Sequence, residues 1–331
     1  MSSKGRVVVV TGAGGFIGSH LVEALVAQGS RVRALVHYNA EGSIGSLRHV
    51  DRRTLDAIEI VAADVRDPYA MRLLVRGAQT VFHLAALIGI PYSYVAPASY
   101  VETNIGGTLN LLEATRAEGV ERLVVTSTSE TYGTAQYTPI DEVHPAVAQS
   151  PYAATKIGAD QLALSYYRSF DTPVCVVRPF NTFGPRQSER AIIPTIVVQA
   201  LRNAEPLRLG SLEPRRDLLY VTDTVRGFLA IAGSPQAIGR AVNVGTGTSH
   251  NVRELVEVVG RVVGRELHVV QDAERIRPER SEVMELRANA SVARSFGWKP
   301  EVSLEDGVRR VVDFMRSQPS ELGSLAGGYR V

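Results

Sequence analysis

The stretch Thr11-Gly12-Ala13-Gly14-Gly15-Phe16-Ile17-Gly18 decides the fold of this chain. It lies between an apolar run at 7–10 and a segment at 17–28 whose apolar residues recur with helical spacing. The glycines at 12, 15 and 18 permit a tight turn, a close approach of the backbone to a pyrophosphate, and close packing of helix on sheet. At the first strand-to-helix turn, this pattern predicts dinucleotide binding rather than a merely structural turn.

Short β-branched runs alternate with helical segments through the first half of the chain. The predicted strands are 7–10, 31–36, 58–62, 80–84, 122–126 and 174–178. Two of the intervening helices, 17–28 and 108–118, end at Gly29 and Gly119, which suit a helix C-terminus. This order predicts an α/β fold with a doubly wound parallel sheet, a Rossmann fold, whose ligand crevice lies beyond the carboxyl ends of the strands.

The regular alternation of predicted strands and helices ends after residue 180, where Pro and Gly become more frequent. Helices at 253–263 and 304–315 are the clear periodic pieces of this half, and a loosely ordered tail is expected from 317. We therefore expect a dinucleotide-binding domain at 1–178, with returning segments near 215–245. A smaller α/β domain at 179–331 is expected to bind most of the substrate.

The overall composition excludes several classes of function. The 331 residues carry 36 basic and 34 acidic side chains, a balance without the clustered positive charge that nucleic-acid binding needs. Neither an apolar run long enough to span a bilayer nor a signal-peptide pattern is found. The single cysteine, Cys175, excludes an intramolecular disulfide and lies in an apolar run, where a buried thiol is expected rather than a nucleophile. We expect a cytoplasmic protein with neither nucleic acid nor membrane as partner.

The end of the second predicted strand bears on the choice of cofactor. In an NAD-binding unit, an acidic residue about 20 positions past the glycines bonds the ribose hydroxyls. His37 stands at that place here, followed by Tyr38 and Asn39. Because no carboxylate repels a 2′-phosphate, NADP can be accommodated, with Arg48 as a partner for the phosphate. Binding of NAD through other contacts stays equally open.

A second signal is Tyr152-Ala153-Ala154-Thr155-Lys156, which places a tyrosine and a lysine on one helix face. Ser150-Pro151 marks the start of that helix. A lysine near a phenol lowers the pKa of the phenol, so Tyr152 could accept a hydroxyl proton near neutral pH. The chain uses arginine almost throughout, and its three lysines are Lys4, Lys156 and Lys299. A lysine retained here favours an active site over a plain surface pair.

The fifth predicted strand ends in a run rich in hydroxyl groups, Thr126-Ser127-Thr128-Ser129-Glu130-Thr131-Tyr132-Gly133. Catalytic groups of doubly wound proteins lie at the carboxyl ends of parallel strands. Glu130 is the lone carboxylate of this run. We interpret Thr128, Ser129 and Glu130 as candidate catalytic residues. A solvated loop acid is the alternative interpretation of Glu130.

Taken in order, the motifs of the chain resemble those of the extended short-chain dehydrogenases that modify nucleotide sugars, the NAD-dependent epimerase/dehydratase family. Besides the glycine turn, the hydroxyl-rich run and Tyr152 with Lys156, they are Asp64-Val65, His83-Leu84-Ala85-Ala86, Asn104 in Thr-Asn-Ile-Gly-Gly-Thr, Arg178-Pro179-Phe180-Asn181, Gly184-Pro185-Arg186, Arg216-Asp217, Tyr220-Val221 and Asp223. The match covers nearly the whole chain. It implies a bound nicotinamide cofactor, oxidation at sugar C4 by Tyr152, and a homodimer formed through two helices of each subunit.

The resemblance also implies which residues bind the ligands, and it implies no metal. Cofactor contacts are expected from Gly12, Gly15, Phe16, Ile17, Gly18, His37, Asp64, Val65, Leu84, Ala85, Ala86, Tyr152 and Lys156. Contacts to a UDP- or GDP-linked sugar are expected from Asn104, Asn181, Arg186, Arg216 and Arg277. Arginine suits a diphosphate because its planar fork matches phosphate oxygens. A surface position is the alternative for Arg186.

The residues Thr128-Ser129-Glu130 bear on which reaction follows C4 oxidation. In the family, simple 4-epimerases have only small hydroxyl residues here, and dTDP-glucose 4,6-dehydratases have Thr-Asp-Glu. GDP-mannose 4,6-dehydratases and nucleotide-glucuronate decarboxylases resemble this chain in having Thr-Ser-Glu. The segments 87–94, 150–167 and 276–283 most resemble 4,6-dehydratases that act on nucleotide-linked N-acetylglucosamine in pathways of the legionaminic-acid type.

We therefore predict a nucleotide-sugar 4,6-dehydratase in which Glu130 removes the C5 proton and delivers it to the departing C6 hydroxyl. Thr128 would bond the O4 oxygen, and Ser129 is too weak an acid to replace an aspartic acid. A decarboxylase would need a cation beside C6, and neither 126–133 nor 87–95 contains a basic residue. A 4-epimerase, a glucuronate decarboxylase and a dinucleotide-sensing protein without turnover remain alternatives. For the last of these, Tyr152 or Lys156 should be missing.

Overall fold

A computed structural model describes residues 5–275 and 282–318. The strands in these ranges are β1 (Val7–Thr11), β2 (Arg31–His37), β3 (Ile58–Ala63), β4 (Thr80–His83), β5 (Arg122–Thr126), β6 (Val174–Pro179), β7 (Asn181–Phe183), β8 (Leu207–Leu209), β9 (Arg215–Tyr220), β10 (Ala241–Val244), β11 (Ser249–His250), β12 (Val269–Gln271) and β13 (Glu285–Leu286). The α-helices are α1 (Phe16–Ala27), α2 (Arg52–Asp56), α3 (Pro68–Val75), α4 (Ile90–Val95), α5 (Pro97–Tyr100), α6 (Gly107–Glu118), α7 (Pro151–Phe170), α8 (Ile192–Leu201), α9 (Val221–Gly233), α10 (Val252–Val263), α11 (Ser291–Ser295) and α12 (Leu304–Arg316).

Seven parallel strands form the main sheet of the described chain, in the order β3-β2-β1-β4-β5-β6-β10. The strand order reverses between β1 and β4, where Val10 pairs with Ala34 on one side and Phe82 on the other. A reversal of this kind opens a crevice at the carboxyl ends of the strands. The predicted doubly wound sheet is confirmed, and the six predicted strands are present within one residue of their predicted ends.

Alternating side chains of the strands supply two cores, one on each face of the sheet. Val8 and Val10 face the core that includes Phe228 of α9, while Val9 faces the opposite core with Leu111 of α6. The strands can be apolar throughout because helices cover both faces. The thiol of Cys175 on β6 is free and buried, as predicted.

The second half of the chain builds a smaller α/β unit. Its sheet has β9 between β11 and β13, with β7 also paired to β9, and a separate ladder joins β8 to β12. Helices α8, α10 and α12 share one core through Ile196, Val259 and Val311. The two helices predicted from periodicity in this half are present as α10 and α12. Arg277 and most of the predicted tail lie outside the described residues.

The chain returns to the main sheet after entering the smaller unit. Helix α9 contributes Val225 and Phe228 to a core of the main sheet, and β10 pairs with β6. Strand β9, inside the same predicted returning segment, belongs to the smaller sheet. A hydrogen bond of 2.9 Å from the Trp298 indole nitrogen to the Asp223 carbonyl oxygen fixes α9 further. Within the described ranges, none of the helices combines the length and the apolar character needed to cross a bilayer.

Candidate active site

The glycine turn between β1 and α1 packs so closely against neighbouring backbone that two of its glycines have no room for a side chain. Gly12 has a φ of +68°, and a side chain there would meet the Ala85 nitrogen at 2.7 Å. A side chain on Gly18 would collide with the Gly12 carbonyl oxygen. Gly15, which precedes the helix, is exposed and gives α1 no side-chain cap. The open first turn of the helix therefore presents its amide groups to the crevice, as pyrophosphate binding by Gly12, Gly15, Phe16, Ile17 and Gly18 requires.

A series of buried hydrogen bonds holds the residues after β4 against this turn. The Thr11 hydroxyl accepts a hydrogen bond of 3.1 Å from the Ala85 nitrogen and lies 2.8 Å from His83 Nδ1. His83 Nε2 lies 3.1 Å from the Thr108 hydroxyl, which itself donates to the Asn104 carbonyl. Burial lowers the pKa of His83 to about 3, so the imidazole is neutral. Leu84, Ala85 and Ala86 thus follow β4 at the crevice.

The ends of β2 and β3 lie side by side at the far end of the crevice. The His37 side chain is 75% exposed, and its Nε2 lies 3.5 Å from Asp64 Oδ2. Arg66 binds the Asp64 carboxylate with its guanidinium and holds the pKa of Asp64 down to about 2. Val65 is buried, and its carbonyl accepts a hydrogen bond from the Asn110 amide. Exposed Arg48 donates to His49.

Helix α7 carries the tyrosine and lysine into the crevice. It begins after Ser150, whose hydroxyl accepts a 3.1 Å hydrogen bond from the Ala153 nitrogen, with Pro151 at the first helical position. The Tyr152 side chain is 7% exposed and packs edge-on against Tyr100, with ring centroids 6.3 Å apart. Burial raises the pKa of Tyr152, and a hydrogen bond with the Thr128 hydroxyl opposes that rise.

Lys156 lies one helical turn after Tyr152 and is buried. Its Nζ donates a 2.6 Å hydrogen bond to the carbonyl oxygen of Thr126, at the end of β5. Burial lowers the pKa of Lys156 to about 8, and the charge of Asp160 opposes this. The spacing of the two residues predicts that Lys156 lowers the pKa of the phenol, but burial has the strongest influence on Tyr152 in the structure.

Glu130 lies in a 3₁₀ turn, Ser129–Tyr132, directly after β5. The Thr128 hydroxyl accepts a 3.2 Å hydrogen bond from the Glu130 nitrogen, which caps the turn. The Glu130 carboxylate is close enough to Tyr152 for its charge to raise the pKa of the phenol. Ser129 is buried. The structure therefore brings Thr128, Glu130 and Tyr152 together at the end of β5.

Two asparagines expected to bind the sugar nucleotide differ in their surroundings. The buried Asn104 amide accepts from the Leu87 nitrogen and donates to the Leu87 carbonyl and the Thr155 hydroxyl. These contacts fix the chain after β4 against α7. Asn181 opens β7, and its Oδ1 is buried without a hydrogen-bond partner among the described residues. An unpartnered acceptor of this kind fits a ligand donor.

The predicted arginines lie in different places. Arg216 is on β9, and its guanidinium lies 3.1 Å from Glu282. Arg186 is instead bound to Glu23 of α1 through both terminal nitrogens, so it is not a plain surface residue. Arg277 cannot be placed, because it lies outside the described residues. Across residues 5–275 and 282–318, no cluster of His, Cys, Asp or Glu side chains suits a metal ion.

Three residues near the site belong to none of the sequence motifs. Tyr100 packs on Tyr152 and donates a hydrogen bond of 2.5 Å to the Gly89 carbonyl. Arg190 is close enough to Tyr100 to lower its pKa, which burial raises. Asp160 is buried beside Lys156. For Asp160, the spacing of four residues from Lys156 was an available signal. Tyr100 and Arg190 approach the site only through tertiary structure.

The family model described as GDP-mannose 4,6 dehydratase matches residues 9–311. A UDP-glucose 4-epimerase of Mycolicibacterium smegmatis is 34% identical over 318 residues, which cover 94% of this chain and 98% of that protein. A dTDP-glucose 4,6-dehydratase of an Actinoplanes species is 31% identical over 319 residues, covering 95% and 98%.

A solved structure of similar fold is DesIV, the dTDP-glucose 4,6-dehydratase of Streptomyces venezuelae, with NAD and TYD bound. Its TM-score is 0.85 at 28% identity, and the match covers 96% of this chain and 98% of DesIV. Fold, motifs and sequence likeness agree. The chain belongs to the extended short-chain dehydrogenases, in the family of nucleotide-sugar dehydratases and epimerases.

Proposed function

We propose that the protein is a nucleotide-sugar 4,6-dehydratase that converts an NDP-hexose, first of all NDP-N-acetylglucosamine, to its 4-keto-6-deoxy product. The position of Glu130 carries the proposal. Its carboxylate lies near the Tyr152 phenol, and Thr128 bonds to both residues. Epimerisation at C4 needs an acid-base pair at C4 but no base at C5. A carboxylate beside that pair favours elimination across C5 and C6.

The residues divide the chemistry as follows. Tyr152 takes the O4 proton as its phenolate while Thr128 bonds the same oxygen. The positive charges of Lys156 and of a bound oxidised nicotinamide would favour this phenolate against the burial that raises the pKa of Tyr152. A nicotinamide dinucleotide held at the glycine turn would supply reversible hydride transfer between C4 and C6. The C4 ketone acidifies H5, which Glu130 removes and then delivers to the departing C6 hydroxyl. One water is lost. As hydride reaches C6, C5 takes up a proton that balances the one Tyr152 took from O4, so Glu130 and Tyr152 both end the cycle ionised as they began it.

The cofactor proposed is NAD or NADP, bound tightly and regenerated in each turnover. The open, side-chain-free turn at Gly12, Gly15 and Gly18 supports the dinucleotide, and DesIV, with its similar fold, holds NAD. His37 is exposed at the end of β2 and is not a carboxylate, so the 2′ position of the adenosine ribose can carry the hydroxyl of NAD or the phosphate of NADP. Analysis of the dinucleotide released from purified, denatured protein distinguishes the two.

We assign the sugar-nucleotide diphosphate to Asn181 and Arg216, with Arg277 kept from the family resemblance. The Arg216 guanidinium, which contacts one carboxylate, Glu282, supports the diphosphate assignment. The unpartnered Asn181 Oδ1 is an acceptor, so it suits a hydroxyl or N–H donor of the same ligand, and the amide nitrogen of Asn181 would have to serve the phosphate. Arg186 is a weaker candidate for binding the diphosphate because both terminal nitrogens of its guanidinium already bind Glu23. The nucleotide is UDP or GDP in this proposal, and the protein acts as a homodimer.

A second candidate function is suggested by Arg190. Its positive charge near Tyr100, on the side of the site where Tyr100 meets Tyr152, could pair with a sugar carboxylate. The two segments expected beside C6, 87–95 and 126–133, contain no cation, and Arg190 comes from a third segment, just before α8. A uronate substrate, with decarboxylation or epimerisation, is therefore the alternative to test.

Product masses decide between these functions. The purified protein is incubated separately with UDP- and GDP-linked N-acetylglucosamine and with UDP-glucuronate. Loss of one water from an N-acetylglucosamine nucleotide supports the proposal, and retained mass with inverted C4 would replace it by a 4-epimerase. Loss of carbon dioxide from the uronate would establish the decarboxylase. Tyr152→Phe serves as the inactive control in every incubation.

A further inference from the structure

Asp160 is a fully buried carboxylate that the proposed chemistry leaves unused. It lies on α7, one turn after Lys156 and two turns after Tyr152. Three donors converge on Oδ2: the Ser127 hydroxyl at 2.7 Å and two Arg178 nitrogens at 3.0 Å each. Its Oδ1 is buried and has no hydrogen-bond partner among the described residues.

The contacts of Asp160 favour its ionised form. A protonated carboxyl would need an acceptor for its proton, and Oδ1 has none in the described chain. Burial raises the pKa of Asp160, while the charge of Arg178, the hydrogen bond from Ser127 and the charge of Lys156 lower it. The Arg178 guanidinium stays charged at any accessible pH. Neutral Asp160 would leave two cations, Arg178 and Lys156, buried without compensation.

Four groups near Lys156 other than Asp160 are neutral or cationic. Its Nζ bonds the Thr126 carbonyl on β5. His83 on β4 is neutral, and the positive charge of Lys156 lowers the pKa of His83 further. Arg178 on β6 is a cation, and Tyr152 on the same helix is a phenol of raised pKa. Among these groups, Asp160 alone can offset the cost of burying an ammonium.

We propose that Asp160 is a positioning residue whose carboxylate, one helical turn from Lys156, is the counter-charge that keeps the buried Lys156 ammonium charged and so able to bond the Thr126 carbonyl. Arg178 extends this role to the loop that carries Glu130. It donates a 3.0 Å hydrogen bond to the Tyr132 hydroxyl, which in turn donates to Asn243 at 2.6 Å. The same ion pair thus lies one helical turn from Lys156 on α7 and, through Arg178 on β6, contacts the 3₁₀ turn. The catalytic consequence rests on the proposed function, whereas the charge of Lys156 does not.

The scarcity of lysine makes a direct test practical. With three lysines in the chain, protein labelled with ¹³C at lysine Cε gives few signals, and Lys156→Met assigns the one of interest. In the wild type, Lys156 should titrate near 8. Buried lysines without a counter-charge titrate at about 5–6. A wild-type value in that lower range would overturn the proposal without any variant.

Asp160→Asn keeps the shape of the side chain and removes its charge. The proton affinity of Lys156 should fall about tenfold or more, which lowers its pKa, because the opposing anion is gone. Asp160→Glu should recover part of the lost affinity, and Ser127→Ala, which keeps the carboxylate, should leave the pKa of Lys156 near its wild-type value. Asp223→Asn is the matched control, since Asp223 is equally buried but bonds Arg226 and the Glu301 and Val302 nitrogens instead. An unchanged Lys156 in Asp160→Asn would refute the counter-charge role.

The activity of the same variants separates this proposal from the proposed function. If Lys156 must be charged for turnover, the alkaline limb of kcat for water elimination should move down in pH with the lysine. Above the pKa of Lys156, each further pH unit lowers the charged fraction about tenfold. Should the protein prove not to be a dehydratase, the lysine titration still decides the role of Asp160. If the Lys156 titration contradicts the counter-charge role while water elimination is observed, the role of Asp160 is refuted and the proposed function is retained.

Discussion

Arg186 and Glu23 form a two-pronged ion pair, with guanidinium nitrogens 2.7 and 2.9 Å from the two carboxylate oxygens. The pair joins the segment after β7 to the helix behind the glycine turn. Only 10% of the Arg186 side chain and 30% of the Glu23 side chain are exposed. Its partners come from the two halves of the chain, so the contact bridges the main sheet and the smaller unit.

Breaking this pair from either side should destabilise the protein. We expect Arg186→Gln and Glu23→Gln each to lower the free energy of unfolding by about 1–3 kcal/mol, because the remaining partner stays partly buried. Urea denaturation measures this. Glu213→Gln breaks an exposed pair with Arg253 and should change stability by less than about 0.5 kcal/mol. A KM for the sugar nucleotide raised by Arg186→Gln but not by Glu23→Gln would instead place Arg186 at the substrate.

Glu130→Gln should separate the two halves of the proposed reaction. The amide cannot remove H5, so water elimination should fall by about 100- to 10,000-fold. Oxidation at C4 by Tyr152 should persist, seen as the near-ultraviolet absorbance of bound reduced nicotinamide after substrate is added. Glu118→Gln, at the far end of α6 in a pair with Arg72, should behave as wild type. Loss of both steps in Glu130→Gln would contradict its assignment as the C5 base.

Gly12→Ala should be more damaging than its backbone conformation alone predicts. Gly12 and Gly119 both have positive φ, at 68° and 64°, but only Gly12 has backbone within 3 Å of an added side chain. Gly119→Ala should cost about 1 kcal/mol from strain alone. Gly12→Ala should cost more and should release the dinucleotide. Calorimetry and the cofactor content of purified protein measure the two effects, and equal losses in both variants would argue against a crowded turn.

Acid stability should depend on His83. Its native pKa of about 3 lies below the ordinary value of 6.5. Between these values the unfolded chain binds a proton that the native protein does not, so stability falls as the pH drops through this window. The slope from this one group reaches at most about 1.4 kcal/mol per pH unit. His83→Gln should flatten it in urea titrations between about pH 6.5 and 4.5. Equal slopes in wild type and His83→Gln would show that His83 titrates normally.

Local chemistry explains which features were predictable from the sequence. The glycine turn, the strand runs and the Ser150-Pro151 helix start depend on neighbouring residues, and the structure has them where the sequence predicts them. The seventh strand, β10, was not among the predicted strands, although it lies in the segment near 215–245 that was expected to return to the first domain, because its place beside β6 is set by pairing between distant segments. The strand propensity of a segment does not indicate which distant segment it will pair with.

The least predictable site features are those made by burial. Arg178 stands in a family motif, but its buried pair with Asp160, and the effect of that pair on Lys156, follow only from the packed interior. Arg186 resembles a phosphate ligand in sequence, yet its partner lies 163 positions away in α1. The pKa of Tyr152 follows the same rule, because desolvation by the fold outweighs the nearby lysine expected from spacing.

The return of β10 to the main sheet bears on how the chain could be divided. A fragment ending at residue 178 would contain the glycine turn, Tyr152, Lys156 and Glu130. It would also leave β6, an apolar parallel strand, as a bare sheet edge with unpaired amide and carbonyl groups. Edges of that kind associate with one another and aggregate. Strand β10, which comes from the second half of the chain, therefore covers the sheet edge of the catalytic half, and we expect a fragment of residues 1–178 to aggregate when it is expressed alone.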